Sequence, residues 1–177
     1  MLVNLSDIFT SGNMSTTEKT VFESDTVKVG TQEYTVADKT PVVLECSNNG
    51  VGKAIVHLNT AFTVNMNCDR CLKDIAYPFN LDFQVQVFSP DYEADEDDEE
   101  QEEQTYMEGY HLNVDDLIYN EMILDWPMKI LCREDCKGIC RVCGKDLNEG
   151  ECGCDTFVPN PGLAGIKEIF NANNKEV

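Results

Sequence analysis

The sequence has few histidines, few basic residues and no long apolar run, and each shortage excludes a class of function. The two histidines in 177 residues, His57 and His111, form no recognisable Ser/His/Asp set or Cys/His pair, so we predict that the protein is not an enzyme. No apolar stretch approaches the roughly 20 residues of a membrane-spanning helix, which predicts a soluble protein without a membrane partner. The 13 basic residues face 33 acidic ones, a net charge of −20, which disfavours general nucleic-acid binding.

The N-terminus also lacks the features of a secretory signal. Residues Met1 to Asp7 include no basic region and no sufficiently long apolar run. Nine cysteines without such a signal predict free thiols in the reducing cytoplasm rather than structural disulfides.

Six of the nine cysteines lie in one short stretch and predict a structural zinc site. In Cys140-Arg-Val-Cys143-Gly144, a two-residue gap lets a turn aim both thiolates at one ion, and the glycine tolerates the positive φ that such a turn needs. A catalytic zinc site is disfavoured, because such sites usually have histidine or carboxylate ligands and neither histidine lies in this stretch. An iron–sulfur cluster is disfavoured because no ferredoxin cysteine run is present. The candidate zinc ligands are Cys132, Cys136, Cys140, Cys143, Cys152 and Cys154.

Which four of the six bind stays open at this point, since the second pair could lie upstream or downstream of Cys140 and Cys143. Six thiolates could hold two zinc ions, but their gaps do not favour that arrangement. Cys152 and Cys154 would point to opposite faces of an extended chain, unless Gly153 bends them toward one ion.

The clearest secondary structure is a long β-hairpin. Apart from Thr60, apolar residues occupy the even positions from Val56 to Met66 and the odd positions from Ile75 to Val87, which predicts two strands with one buried face each. Pro78 removes one ladder donor and predicts an edge position for the second strand.

Cys68 and Cys71 would then lie at the tip of this hairpin. They could form half of a second metal site completed by sulfurs left over from the C-terminal six, or a redox dithiol, or a structural pair. A thioredoxin-like dithiol should open a helix in a βαβ unit, so the redox interpretation is the least favoured and the other two are equally favoured. Arg70 is a candidate phosphate or thiolate contact.

The remaining chain suggests a division into three parts. We predict a mainly β domain over residues 1–90, an acidic flexible loop over 91–109, and a part over 110–177 that packs back on the β domain. This last part would contain a helix over 114–125 capped by Asn113, the cysteine-rich segment, and a final helix that starts near Asn160-Pro161.

Five basic residues recur every four positions through the cysteine-rich segment. They could balance the negative charge of a thiolate site or form a patch that binds RNA phosphates, and the first interpretation is favoured. With Arg70, three of them, Lys137, Arg141 and Lys145, are the candidate RNA contacts. The five residues are Lys129, Arg133, Lys137, Arg141 and Lys145.

The order of these motifs resembles the YceD-like family, the large ribosomal RNA subunit accumulation proteins. The motifs are Cys-x-Arg-Cys-Leu at 68–72, Val-Asp-Asp-Leu at 114–117, Trp-Pro at 126–127, Asp-Cys-Lys-Gly-Ile-Cys-Arg-Val-Cys-Gly at 135–144, and Asn-Pro-Gly-Leu-Ala-Gly-Ile-Lys at 160–167. The resemblance implies a non-enzymatic cytoplasmic role in the accumulation of large-subunit (23S) ribosomal RNA. Its motif cysteines fall on Cys68, Cys71 and the six cysteines from Cys132 to Cys154.

We therefore predict an α+β protein with an antiparallel β-sheet or partly closed barrel, a long hairpin, two helices and a C-terminal zinc-binding segment. It would act in ribosome biogenesis by binding precursor ribosomal RNA, a basic large-subunit ribosomal protein, or both, and it would have no small-molecule substrate. The alternative is a thiol-based redox or metal-responsive interaction protein.

Overall fold

A computed structural model describes residues 1–12, 14–92 and 104–154. Their regular structure is mostly antiparallel β-sheet with two helices, in agreement with the predicted α+β class. The elements are β1 (Leu2–Asn4), α1 (Ser6–Thr10), β2 (Ser15–Val21), β3 (Thr26–Val29), β4 (Gln32–Ala37), β5 (Pro41–Asn48), β6 (Lys53–Asn67), β7 (Asp74–Phe88), β8 (Met107–Glu108), β9 (His111–Asn113) and α2 (Val114–Leu124).

The fifteen-residue strand β6 organises the larger sheet. It pairs antiparallel with β7 along its whole length, from Lys53 opposite Phe88 to Asn67 opposite Asp74. Its other edge is shared by β5 and β4, which pair in turn with β2 and β3. Within the described residues the outer strands β2, β3 and β7 do not pair with one another, so a partly closed barrel stays a prediction. Pro78 lies on β7, whose described pairing is with β6 alone.

Alternation in β6 determines which side chains enter the core. Its even-numbered residues from Ala54 to Met66 are buried, whereas the odd-numbered ones are half-buried or exposed, as expected of a strand with one covered face. Cys46 is buried in the same core, and burial raises the pKa of its thiol to about 11.

Helix α2 covers part of this core. Its Asn113 cap accepts a hydrogen bond from the Asp116 backbone N–H, which satisfies one of the free donors of the first turn. Its buried side chains recur three and four residues apart, the spacing of one helical face. They are Val114, Leu117, Ile118 and Met122.

The chain divides into two units. The first contains residues 1–68 and 73–130, and so includes all the named strands and both helices. The second contains Asp69–Leu72 and the chain from Leu131 onward; its described residues form turns and one isolated bridge between Ile139 and Asp146. No helix among the described residues is long and apolar enough to cross a membrane.

Two predicted elements lie outside the described residues. They are most of the acidic loop, residues 93–103, and the C-terminal helix that starts near Asn160-Pro161.

Candidate metal centres

Eight of the nine cysteines form two groups of four. Within each group, the four sulfur atoms all lie within 4.8 Å of one another. We call Cys68, Cys71, Cys132 and Cys136 the first quartet, and Cys140, Cys143, Cys152 and Cys154 the second quartet. Each could hold a metal ion.

This grouping differs from the expectation of one site among the six C-terminal cysteines. Cys132 and Cys136 join Cys68 and Cys71, so the interpretation of the Cys68–Cys71 pair as half of a metal site agrees with the geometry. Sequence spacing could not show which two of the six join Cys68 and Cys71, because residues 72–131 separate Cys71 from Cys132 and only the folded chain brings the two together.

The first quartet is the more buried of the two. The Cys68, Cys71 and Cys136 side chains are buried, and only Cys132 is exposed. The Cys71 and Cys132 sulfurs lie 3.5 Å apart. Because three of its thiols are shielded from water, a charged thiolate in this quartet would need a nearby cation.

The two cysteine turns share one backbone conformation. The backbone N–H of Cys68 donates to the carbonyl of Lys73 at 2.8 Å, and that of Cys140 donates to the carbonyl of Lys145, also at 2.8 Å. The residue after each second cysteine is left-handed: Leu72 has φ 60° and Gly144 has φ 74°. Each turn therefore presents two thiols in the same way, although Leu72 stands where the other turn has glycine.

The second quartet depends on a bend at Gly153. This residue has φ 69°, a conformation that glycine adopts without strain. The bend agrees with the alternative in which Cys152 and Cys154 point toward one ion, and both sulfurs lie within the quartet. Only Cys140 is fully buried there, whereas Cys143 is exposed.

Hydrogen bonds distribute protons unequally within the second quartet. The backbone N–H groups of Cys143 and Val142 lower the pKa of the Cys140 thiol to about 6. Hydrogen bonds with Cys143 and Cys152, together with their negative charge, raise the pKa of Cys154 to about 12. Four thiols this close cannot all ionise unless a cation neutralises them, which is the condition that a metal ion provides.

The sulfur spacing is compatible with a tetrahedral ion. Four sulfurs about 2.3 Å from a zinc ion would be about 3.8 Å apart, a separation within the 4.8 Å that bounds all sulfur–sulfur distances in each quartet. The donor set is sulfur alone in both quartets. It fits a soft or borderline metal with a closed coordination shell.

The predicted basic residues have different environments. Arg70 Nη1 donates to the Cys136 carbonyl at 2.7 Å, and Lys145 Nζ donates to the Glu151 carbonyl at 3.1 Å. Arg133 pairs with Asp135 at 3.2 Å. Within the described part of the chain, the exposed side chains of Lys137 and Arg141 have no hydrogen-bond or ion-pair partner.

Sequence reasoning missed Asn148, whose side chain donates to the Cys136 sulfur at 3.4 Å. This hydrogen bond is the main cause that lowers the pKa of the Cys136 thiol. The signal available in the sequence was weak: Asp146-Leu-Asn148 resembles a turn, because Asn and Asp often bond nearby backbone groups. Here the Asn148 N–H donates to Asp146 Oδ1 at 2.8 Å.

The α+β fold and the two cysteine quartets place the protein among small cysteine-rich proteins with candidate metal centres. The family model described as large ribosomal RNA subunit accumulation protein YceD matches residues 56–170. The chain belongs to that family, whose name implies a role in the accumulation of large-subunit ribosomal RNA. Searches among curated proteins and among solved structures found no match.

Proposed function

We propose that this protein is a non-enzymatic cytoplasmic factor of ribosome biogenesis that binds precursor large-subunit ribosomal RNA, a basic large-subunit ribosomal protein, or both. Family membership carries the proposal, because the match over residues 56–170 includes all eight cysteines of the two quartets. The absence of a recognisable catalytic set in the sequence supports a role in binding.

We also propose that each quartet holds one Zn²⁺ as a structural ion. Sulfur-only coordination without a carboxylate or histidine is typical of structural zinc, and a zinc ion bound this way stabilises a small domain by about 10–16 kcal/mol. Such stabilisation matters for the second unit, whose described residues form turns and a single β-bridge rather than a sheet.

The candidate RNA contacts then narrow to two side chains. Arg70 and Lys145 hold backbone carbonyls of their own unit, so we assign them a structural role. Lys137 and Arg141 are exposed and available for phosphate oxygens. Arg141 lies inside the cysteine turn of the second quartet, next to the exposed Val142.

The negative charge of the sites limits how much RNA affinity these two residues can provide. Four thiolates and one Zn²⁺ carry a formal charge of about −2, so part of the local basic charge offsets the sites themselves. The acidic run from Asp91 to Glu103, with ten acids and no base, would instead attract a basic ribosomal protein. The two kinds of contact are therefore separable by mutation.

The test neutralises the two exposed bases. Lys137→Gln with Arg141→Gln should reduce ribosomal RNA recovered after crosslinking in cells. For purified protein, the double substitution should make the negative slope of log RNA affinity against log salt concentration shallower by about 2, one for each phosphate that the variant no longer neutralises. Lys19→Gln with Lys28→Gln, two exposed bases on β2 and β3, makes the same change in net charge and should leave both measurements unchanged.

A second variant tests contact through protein. Replacing the acids of residues 93–103 by serine should reduce co-purification of a basic ribosomal protein without changing the salt slope for RNA. Unchanged RNA recovery in the Lys137→Gln, Arg141→Gln variant would contradict direct RNA contact through these residues. Unchanged recovery of both RNA and ribosomal protein in both variants would contradict the proposed function.

A further inference from the structure

The loop that joins the two halves of the second quartet contacts the first quartet. This loop, residues 144–151, connects Cys143 to Cys152. Its half-buried Asn148 donates from Nδ2 to the sulfur of Cys136, a member of the first quartet, at 3.4 Å. One side chain therefore belongs to the loop of one site and touches a candidate ligand of the other.

Both polar atoms of the Asn148 side chain, Oδ1 and Nδ2, form hydrogen bonds. Its Oδ1 accepts from the backbone N–H of Lys137 and from Arg133 Nη2, both at 2.8 Å. Its Nδ2 donates to Asp146 Oδ1 at 2.7 Å as well as to Cys136. Exchanging the amide oxygen and nitrogen would place donors against donors and acceptors against acceptors, so its neighbours determine the amide orientation.

Backbone contacts hold the same two segments together. The N–H of Leu147 donates to the carbonyl of Gly138 at 2.9 Å, and Ile139 forms a β-bridge with Asp146. On the other side, the N–H of Ile139 donates to the carbonyl of Arg70 at 3.0 Å. The residues that follow Cys136 are therefore hydrogen-bonded to the loop of the second quartet.

We propose that Asn148 couples the two metal sites, so that metal binding at one quartet tightens binding at the other. This inference rests on the metal ions of the proposed function. A metal bound at the first quartet would hold the Cys136 sulfur in place, and with it the Asn148 side chain that donates to this sulfur. The 144–151 loop would then be ordered before Cys152 and Cys154 close on their ion, which removes part of the ordering cost.

The coupling must be reciprocal. If filling the first quartet raises affinity at the second, then filling the second raises affinity at the first by the same factor. Asn148 is thus a positioning residue for both sites.

The experiment compares zinc affinity at the second quartet with the first quartet intact or disabled. Cys132→Ser disables the first quartet at its exposed cysteine, and chelator competition measures the dissociation constants. We expect the second quartet to bind zinc about tenfold more tightly in the intact protein, within the usual range of coupling. In an Asn148→Ala background, disabling the first quartet should change that affinity less than twofold.

Asn148→Asp separates coupling from a general structural role. Aspartate keeps the oxygen that accepts from Lys137 and Arg133 but places a second carboxylate oxygen, instead of the donor, against the Cys136 sulfur and Asp146 Oδ1. It should therefore abolish the coupling as alanine does. Asn120→Ala, which replaces a half-buried asparagine on α2 that donates to Thr105, is the matched control and should retain the full tenfold ratio. ¹¹³Cd NMR of each variant, with one resonance for each filled quartet, checks that both sites still form.

Each remaining outcome contradicts one claim. A tenfold ratio that persists in Asn148→Ala and Asn148→Asp would overturn the coupling role of Asn148 and leave the proposed function intact. If Cys132→Ser leaves the zinc affinity of the second quartet unchanged while Asn148 is present, the proposed coupling is overturned altogether. Failure of the unsubstituted protein to bind metal at either quartet would instead contradict the metal part of the proposed function.

Discussion

The two quartets use the same cysteine turn but assemble in different ways. The second quartet comes from one continuous stretch between Cys140 and Cys154, whereas the first combines Cys68 and Cys71 at the end of the β6–β7 pair with Cys132 and Cys136. One site can therefore form locally, and the other requires two distant parts of the chain to meet. The same cysteine turn can therefore contribute to a site formed by neighbouring residues or to a site that joins distant parts of the chain.

The quartets also differ in burial and in one key residue. Three of four side chains are buried in the first quartet and one of four in the second. Leu72, a residue with a strained left-handed backbone, follows the first turn, and Gly144 follows the second. We expect these differences to appear in the stability of variants altered at one quartet or the other.

The largest difference should follow from removing one ligand of each quartet. With zinc bound as proposed, Cys71→Ser would open a cross-link that closes the 60 residues 72–131, and Cys152→Ser would open one that closes the eight residues 144–151. Because closure entropy in the unfolded chain grows with the logarithm of loop length, the first change should cost about 2 kcal/mol more than the second. Urea unfolding of the zinc-loaded variants measures both costs. Equal costs, or a larger one for Cys152→Ser, would mean that the long-range cross-link adds no stability of its own.

Alanine substitution should destabilise the protein by different amounts at two glycines that have similar backbone conformations. Gly138 has φ 77° and Gly144 has φ 74°, so both substitutions carry a cost for left-handed backbone of about 1–2 kcal/mol. A Cβ at Gly138 would lie 2.8 Å from the Arg70 carbonyl oxygen, whereas one at Gly144 would have nothing within 4 Å. Gly138→Ala should therefore cost about 1–3 kcal/mol more, as measured by denaturant unfolding; similar losses of stability would show that the contact with Arg70 relaxes easily.

The smallest effect should come from exchanging the residues that follow the two turns. Gly144→Leu should destabilise by about 1–2 kcal/mol through backbone strain. Leu72→Gly should relieve a similar strain but lose about 0.5–1 kcal/mol to the flexibility of glycine in the unfolded chain, for a net gain below about 1 kcal/mol. Thermal unfolding of the zinc-loaded proteins compares them. Destabilisation by Leu72→Gly would indicate that the leucine side chain, 63% exposed, contributes contacts that exceed its strain.

The sequence predicted the features that depend on local pattern. The alternation from Val56 to Met66 lies within β6, and the apolar stripe that starts at Val114 lies on α2. These succeed because strand and helix periods are properties of neighbouring residues. Family membership was likewise readable, since its motifs are short and contiguous.

The grouping of the cysteines was not predictable in the same way. It depends on Cys132 and Cys136 meeting Cys68 and Cys71, which is a property of the fold rather than of spacing. The hydrogen bonds that Arg70 and Lys145 donate were also hidden, because their acceptors are backbone carbonyls that no residue type reveals. Asn148 was missed for the same reason: its hydrogen bond to Cys136 joins segments whose contact exists only after folding.

Native mass spectrometry of protein purified without added metal tests the central claim most directly. We predict two zinc ions in each chain, with Cys71→Ser and Cys152→Ser each retaining one. A single ion in the unsubstituted chain, or a mass that shows disulfides in place of metal, would contradict it.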